Sequence, residues 1–288
     1  MIIDAKYKSW FIFPAVGIQF ILLVVTLVMA ATTRETAAWL GAAIATLGLP
    51  IILVQLKFRP TPRTSDNLLM LLFVTAIGFM IAGWEQFIVE TSDWGPTSVA
   101  MVAAGIFLLY VFWFSRFGRF DSSSLMVGGK LPPFSLDRPD GSRFESSSLA
   151  GSPAVIVFYR GNWCPLCMAQ IREMADRYQE MAAMGIEVLL ISPQPNAQSQ
   201  ELSEGLGVPM NYLVDEGNQV AEQLGIAIKN GVPLGIGGDY ATDTVMPTVV
   251  ATNANGTILF SDQVDNYRVR PEPDMFLAIL RRAGVGAT

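Results

Sequence analysis

Residues 154–167 read AVIVFYRGNWCPLC, and this stretch decides the fold of the second half of the chain. Ala154 to Tyr159 is an apolar, β-branched and aromatic run of strand length, and Pro165 opens a stretch of helical periodicity that continues to Met184. Along that helix Cys167, Ile171, Met174, Tyr178 and Met181 are spaced four, three, four and three, so they share one face and Cys167 is expected on the buried side. Cys164 falls just before the helix, with Pro165 at the first helical position, where its missing N–H costs nothing and its φ is already helical. Cys164 is therefore expected to be accessible and to act as the nucleophile, because unpaired N–H groups and the helix dipole stabilise a thiolate there, and Cys167 to resolve the product as a disulfide.

Working outward, the pattern alternates strands and helices, which is the mark of an α/β fold. Ile186 to Ser192, Thr248 to Ala251 and Gly256 to Ser261 read as further strands, the last two joined by an Asn255-Gly256 hairpin turn. Asp274 to Arg282 reads as a closing helix, with Asp274 near its positive end and Arg281 and Arg282 near its negative end. GVPLGIGG at 231–238 lacks the Lys-Ser or Lys-Thr of a phosphate loop and is read as a flexible loop.

The chain has no histidine and only these two cysteines, which removes His-containing triads, histidine-ligated haem and mixed Cys/His zinc sites, and leaves a Cys pair without further zinc ligands. Cys-X-X-Cys at a strand-to-helix junction points to redox chemistry. Arg160, at the strand end, offers a cation for the Cys164 thiolate or a developing peroxide anion. Trp163 reads as a lid in support of the site, and Arg268 and Arg270 in DNYRVRPEP (265–273) are within plausible reach of it.

FYRGNWCPLC at 158–167 resembles the signature of the peroxiredoxin-like family (AhpC/TSA, redoxin) within the thioredoxin-like superfamily. LPPFSLDRPDG at 131–141, ISPQ at 191–194 and VMPTVV at 245–250 are similar to further segments of that superfamily. The resemblance covers residues 131 to about 283 and implies a thioredoxin fold with a central mixed sheet, a cis Met246-Pro247 peptide shaping the site beside Pro165, and thiol peroxidase activity. One departure stands out: the Pro and Thr that typical members carry seven and three residues before the reacting Cys are Val157 and Gly161 when counted from Cys164. General thiol-disulfide exchange therefore remains an alternative.

The first half has a different solvent. The chain is 51% hydrophobic and 15% charged, and the long apolar runs lie almost entirely in residues 1–117. Trp10 to Ala31, Ala37 to Leu56, Leu68 to Val89 and Ser98 to Phe117 are each about 20 residues, the length that spans a bilayer core. Trp10, Trp39, Trp84, Trp94 and Trp113 near their ends suit an interfacial belt. Gln19, Thr46, Gln55, Thr75 and Glu85 are polar positions in or at the rims of these spans, read as packing or as an unrecognised ligand site, and Gly41, Ala45 and Gly48 offer close helix contact. Eight Lys or Arg flank one side, Lys6, Lys8, Lys57, Arg59, Arg63, Arg116, Arg119 and Lys130, against Arg34 on the other, which predicts both termini in the cytoplasm.

The organisation expected is thus a four-helix transmembrane bundle at 1–117, a flexible Ser/Gly-rich linker at 118–130 and an α/β thioredoxin-like domain at 131–288. That last segment carries ten Lys or Arg against eighteen acids, so it should avoid nucleic acid. The expected function is a membrane-anchored thiol-dependent antioxidant oxidoreductase that needs no metal or other cofactor. Its partners would be a hydroperoxide or disulfide substrate, a cellular dithiol reductant and the lipid bilayer. The other readings are an oxidoreductase for protein disulfides and a membrane redox sensor.

Overall fold

Pro50 divides the second apolar segment. It cannot donate to the carbonyl of Thr46, four residues earlier, and its ring crowds that carbonyl, so two helices meet there at 54°. In the computed structural model, which describes residues 3–58, 61–88, 93–236 and 238–286, the apolar segments form α1 (Lys6–Thr32), α2 (Thr36–Ala45), α3 (Gly48–Phe58), α4 (Leu69–Ile88) and α5 (Gly95–Leu108). A π-helical turn, Leu109–Phe114, extends α5, and the Tyr110 carbonyl accepts both the backbone N–H of Ser115 at 3.0 Å and its hydroxyl at 2.7 Å. Arg59, Val89 and Gly237 lie outside the described residues, as does the side chain of Glu85.

Four full spans are expected from the sequence, and the helices differ from that. Lys6–Thr32 and Gly95–Phe114 are long and apolar enough to cross a membrane, the bent α2–α3 pair adds a third if taken as one, and Leu69–Trp84 is a shorter apolar helix. Close packing uses small residues as expected: a Cβ on Gly41 would come within 2.6 Å of the Ala82 nitrogen, and one on Gly48 within 2.6 Å of the Phe107 ring. Trp39 departs from the interfacial belt, being buried with Ala42, Ala45 and Ala82 in the bundle core. Gln19 is also buried and donates to the Ala103 carbonyl at 2.8 Å.

The chain separates into two units, Trp10–Pro60 with Ser65–Arg116, and Met1–Ser9 with Thr61–Thr64 and Phe117–Thr288. The second unit holds β1 (Ile3–Asp4), β2 (Ser135–Asp137), β3 (Arg143–Glu145), β4 (Ala154–Phe158), β5 (Glu187–Ser192), β6 (Asn211–Val214), β7 (Ala227–Lys229), β8 (Thr244–Val245), β9 (Thr248–Thr252) and β10 (Ile258–Asp262). Seven of them form one mixed sheet in the order β10-β9-β4-β5-β6-β2-β3, with β4 parallel to β5 and antiparallel to β9. All five residues of β4 are buried, as suits a central strand covered on both faces. A small second sheet, β1-β7-β8, recruits the N-terminal residues, with Ile3 opposite Ile228.

Helices α6 (Pro165–Asp176), α7 (Tyr178–Ala183), α8 (Asn196–Leu206), α9 (Gln219–Gln223) and α10 (Pro273–Arg282) complete this unit. The helix expected to run from Pro165 to Met184 breaks at Arg177 (φ −98°, ψ 3°), which turns Tyr178 out of the buried stripe so that its hydroxyl reaches the Pro209 carbonyl at 3.1 Å. Residues 118–130 are not a free linker. Leu125 is fully buried among Leu136, Phe158 and Ile258, the Gly128 N–H donates to the Ile258 carbonyl, and Lys130 bridges Thr257, because the apolar residues within this Ser/Gly-rich stretch find a core to enter.

Candidate active site

The end of β4 delivers Tyr159 and Arg160, and the Gly161–Trp163 turn hands the chain to α6. Gly161 has φ +139°, and a Cβ there would lie 2.8 Å from Trp163 Nε1, so the turn requires glycine on both counts. Gln194, just after β5, fixes the turn from below: its Oε1 accepts the Asn162 N–H at 2.8 Å, while its Nε2 donates to the hydroxyls of Tyr159 and Ser199, each at 3.0 Å.

Cys164 is the N-cap residue of α6 and Pro165 stands at the first helical position, as expected. Its accessibility is not as expected. Cys164 is 2% exposed and Cys167 is fully buried, because the Trp163 turn and the residues after β10 close over the helix start. Arg270 is also buried, and its Nη2 donates to Cys167 Sγ at 3.4 Å while its Nη1 donates to Gln170 Oε1 at 2.7 Å. Cys167 and Gln170 are three apart on α6, so one guanidinium spans both. Arg268, the other candidate in this segment, turns away and donates to Thr64 Oγ1 at 2.5 Å.

The two thiols have opposite electrostatic settings. Burial by itself raises the Cys167 thiol. A hydrogen bond from Cys164, the Arg270 charge, the Arg160 backbone N–H and the Arg160 charge outweigh it and bring Cys167 down to about 5. The hydrogen bond to Cys167, then burial, then the Cys167 charge push Cys164 well up. The pair therefore holds one proton, on Cys164, and presents the thiolate at Cys167.

Arg160 contributes from farther back. Its Nη2 donates to the Gly231 carbonyl at 2.6 Å, and its guanidinium lies over the rings of Trp163, Tyr267 and Phe117 at 4.6, 5.3 and 5.7 Å. Such an aromatic setting keeps a buried cation tolerable. Trp163 is thus a platform for Arg160 as well as a cover. Pro247 is buried between β8 and β9, and its carbonyl accepts from Arg119 Nη1 at 3.2 Å. The cis Met246-Pro247 peptide expected from the resemblance is absent, since no described peptide bond is cis; with the bond trans, the Met246 N–H donates to the Ile226 carbonyl at 2.8 Å and the Met246 carbonyl accepts the Thr248 hydroxyl. Gln170 and Gln194 were not singled out by the sequence, although ISPQ contains the second; a polar residue on the buried stripe of a helix is the only signal Gln170 gives.

The AhpC/TSA family model matches residues 127–261. Residues 127–261 belong to the AhpC/TSA family. The AhpC/TSA region is 27% identical over 157 residues to a putative peroxiredoxin of Haemophilus influenzae, covering 54% of this chain and 97% of that one. It is 26% identical over 100 residues to the thiol-disulfide oxidoreductase ResA of Bacillus subtilis, covering 34% of this chain and 55% of the relative. Among solved structures, peroxidoxin BcpB of Mycobacterium tuberculosis is 21% identical, with 55% of this chain and 97% of that chain covered at a TM-score of 0.47. The AhpC/TSA domain makes this chain a peroxiredoxin-like thiol oxidoreductase.

Proposed function

We propose that the chain is a membrane-anchored thiol peroxidase in which Cys167 reduces a hydroperoxide and Cys164 resolves the product. The observation that carries this reading is the sealed Cys167–Arg270 pair. A hydroperoxide is far smaller than a protein disulfide, which needs its sulfur aligned with an exposed thiolate, and neither sulfur offers one.

The Cys167 thiolate attacks the outer peroxide oxygen, the O–O bond breaks, and the alkoxide leaves with the proton that the Cys164 thiol is set to supply. Cys167 is now a sulfenic acid. The Cys164 thiolate then attacks its sulfur and expels hydroxide, giving the disulfide, which an external dithiol reduces. This reverses the roles that helix position alone suggests.

The apolar unit acts as the anchor. Its helices present Phe20, Ile21, Val24 and Leu27 of α1 and Met70 and Phe73 of α4 outward, a surface suited to lipid. Since Met1–Ser9, Thr61–Thr64 and the chain from Phe117 onward belong to one unit, an even number of crossings before each return fits the charge count and a cytoplasmic AhpC/TSA domain.

One equivalent of hydrogen peroxide on the reduced full chain tests the assignment. In Cys164→Ser, Cys167 should oxidise and persist as a sulfenic acid trapped by a dimedone probe, and in Cys167→Ser no fast oxidation should occur. Fast oxidation in Cys167→Ser would return the first step to Cys164. Insulin reduction without peroxide turnover would replace the peroxidase by the disulfide oxidoreductase.

A further inference from the structure

Arg63, counted in the sequence as one of the cations beside the apolar segments, has three hydrogen bonds that concern the Cys167 site. Its Nη2 pairs with Glu173 Oε2 at 2.5 Å and also donates to the Pro271 carbonyl at 3.2 Å, and its Nε donates to the Arg270 carbonyl at 3.2 Å. Next to it, the Thr64 N–H donates to the Arg268 carbonyl at 2.9 Å. Arg270 and Pro271 belong to no strand or helix, so their carbonyls depend on donors from elsewhere.

Glu173 completes a series on α6. Cys167, Gln170 and Glu173 are three residues apart in turn, on one face of the helix. Arg270 bonds the first two through its side chain, and Arg63 bonds the third while holding the Arg270 backbone. Both ends of Arg270 are thereby referred to the helix that carries the sulfur. Arg63 is only 24% exposed and uses the fork of its guanidinium, unlike an ordinary surface ion pair.

We propose that Arg63 is a positioning residue for this site, fixing the backbone of Arg270 so that its guanidinium stays on Cys167. The proposal rests on the reading of Cys167 as the reacting group. It makes the segment between the second and third apolar segments part of the active-site architecture, a role a simple tether would not have.

The test uses the full chain carrying Cys164→Ser, so that Cys167 is the only thiol, and reads the pH midpoint of its alkylation by iodoacetamide. Arg63→Gln and Arg63→Lys should each raise that midpoint by about one unit, roughly a tenfold weaker ionisation constant. Lysine keeps the charge and the reach to Glu173 but cannot serve two carbonyls as a fork, so a midpoint unchanged in Arg63→Lys would mean that charge alone acts and would overturn the proposal.

Glu173→Gln decides by sign, even should Arg63→Gln fail to fold. Loss of a nearby negative charge favours a thiolate and lowers the midpoint, whereas a loosened Arg63 raises it; a rise supports the proposal and a fall overturns it. Arg270→Gln is the reference. If it shifts the midpoint while the Arg63 variants do not, positioning by Arg63 is refuted and the Cys167 reading stands. If Arg270→Gln itself shifts nothing, the Cys167 reading falls and this proposal with it.

Discussion

Arg270 donates to Cys167 Sγ at 3.4 Å, with both side chains closed off from solvent. That contact competes with the helix N-terminus for control of the thiolate. A helix dipole stabilises a charge by about 0.3–1 kcal/mol at ordinary sites and up to ~2 when partly buried. Two opposite charges at 4 Å attract by about 4 kcal/mol at an effective dielectric of 20. Even after desolvation takes its share, the arginine is the stronger partner, and so the buried sulfur one turn into α6, and not the capping one, is the better anion.

Replacement of Arg270 by glutamine should therefore slow the first oxidation of Cys167 while sparing the sulfur itself. A charge-assisted hydrogen bond contributes roughly 1.5–3 kcal/mol, so the second-order rate with hydrogen peroxide at pH 6 should fall by about tenfold to a hundredfold. Stopped-flow tryptophan fluorescence follows the reaction. A rate within twofold of the parent would show that Arg270 does not hold the reacting thiolate.

Stability should carry the same signature. The folded-state pKa of Cys167, about 5, lies below that of a free thiol, so the stability it contributes is present above about pH 8.5 and is lost as the pH falls towards 5. Cys164 has the opposite sign: its raised pKa contributes stability below about pH 8.5 that is lost as the pH rises further. In thermal melts of the reduced chain, the advantage of the parent over Cys167→Ser should shrink between pH 8 and pH 5. An advantage that grows towards pH 5 would contradict a thiolate at Cys167.

The α/β fold was legible because β4, β5, β9 and β10 are apolar runs of the right length and the face of α6 repeats at helical spacing. Less visible were β2, β3 and α8, which are short or polar; α8 buries only Ser199, so it has no apolar stripe to read. Within the site, Cys164, Cys167 and Arg160 stand on one contiguous motif and were found. In the sequence Arg270 stands only as one of two arginines within reach, and the structure separates it from Arg268; Gln170 gives little signal on α6, and Arg63 reaches Glu173 and the Arg270 carbonyl from a distant place in the chain that only tertiary structure brings near. The docked 118–130 segment escaped notice because Ser and Gly hide how much a single Leu125 gains by entering the core.

Gly161 offers a test of the turn independent of the sulfurs. Gly161→Ala must hold a β-carbon at φ +139° and push it against Trp163, which carries Arg160 on its ring. The strained backbone alone should cost about 1–3 kcal/mol. The Trp163 contribution to fluorescence should also change as the ring leaves Arg160. An alanine variant with an unchanged melting temperature and emission would mean that the turn has another conformation.

Orientation in the membrane is the remaining expectation, and its reasoning begins with where cations stand. Lys6, Lys8, Lys57, Arg59, Arg63, Arg116, Arg119 and Lys130 flank one side of the apolar segments and Arg34 the other. Several of them have structural work: Arg63 binds Glu173, Arg116 pairs with Asp66 at 2.6 Å, and Arg119 donates to Thr248 Oγ1 at 2.9 Å. Translocation reads such cations in the nascent chain, before these partners exist, so the bias still predicts a cytoplasmic C-terminus. A fusion of alkaline phosphatase after Thr288, expressed in a bacterium, should be inactive, and a green fluorescent protein fusion at the same position should be bright. The reverse pattern would put the AhpC/TSA domain in an oxidising compartment, where the Cys pair would tend to rest as a disulfide and exchange with protein thiols would become the better reading.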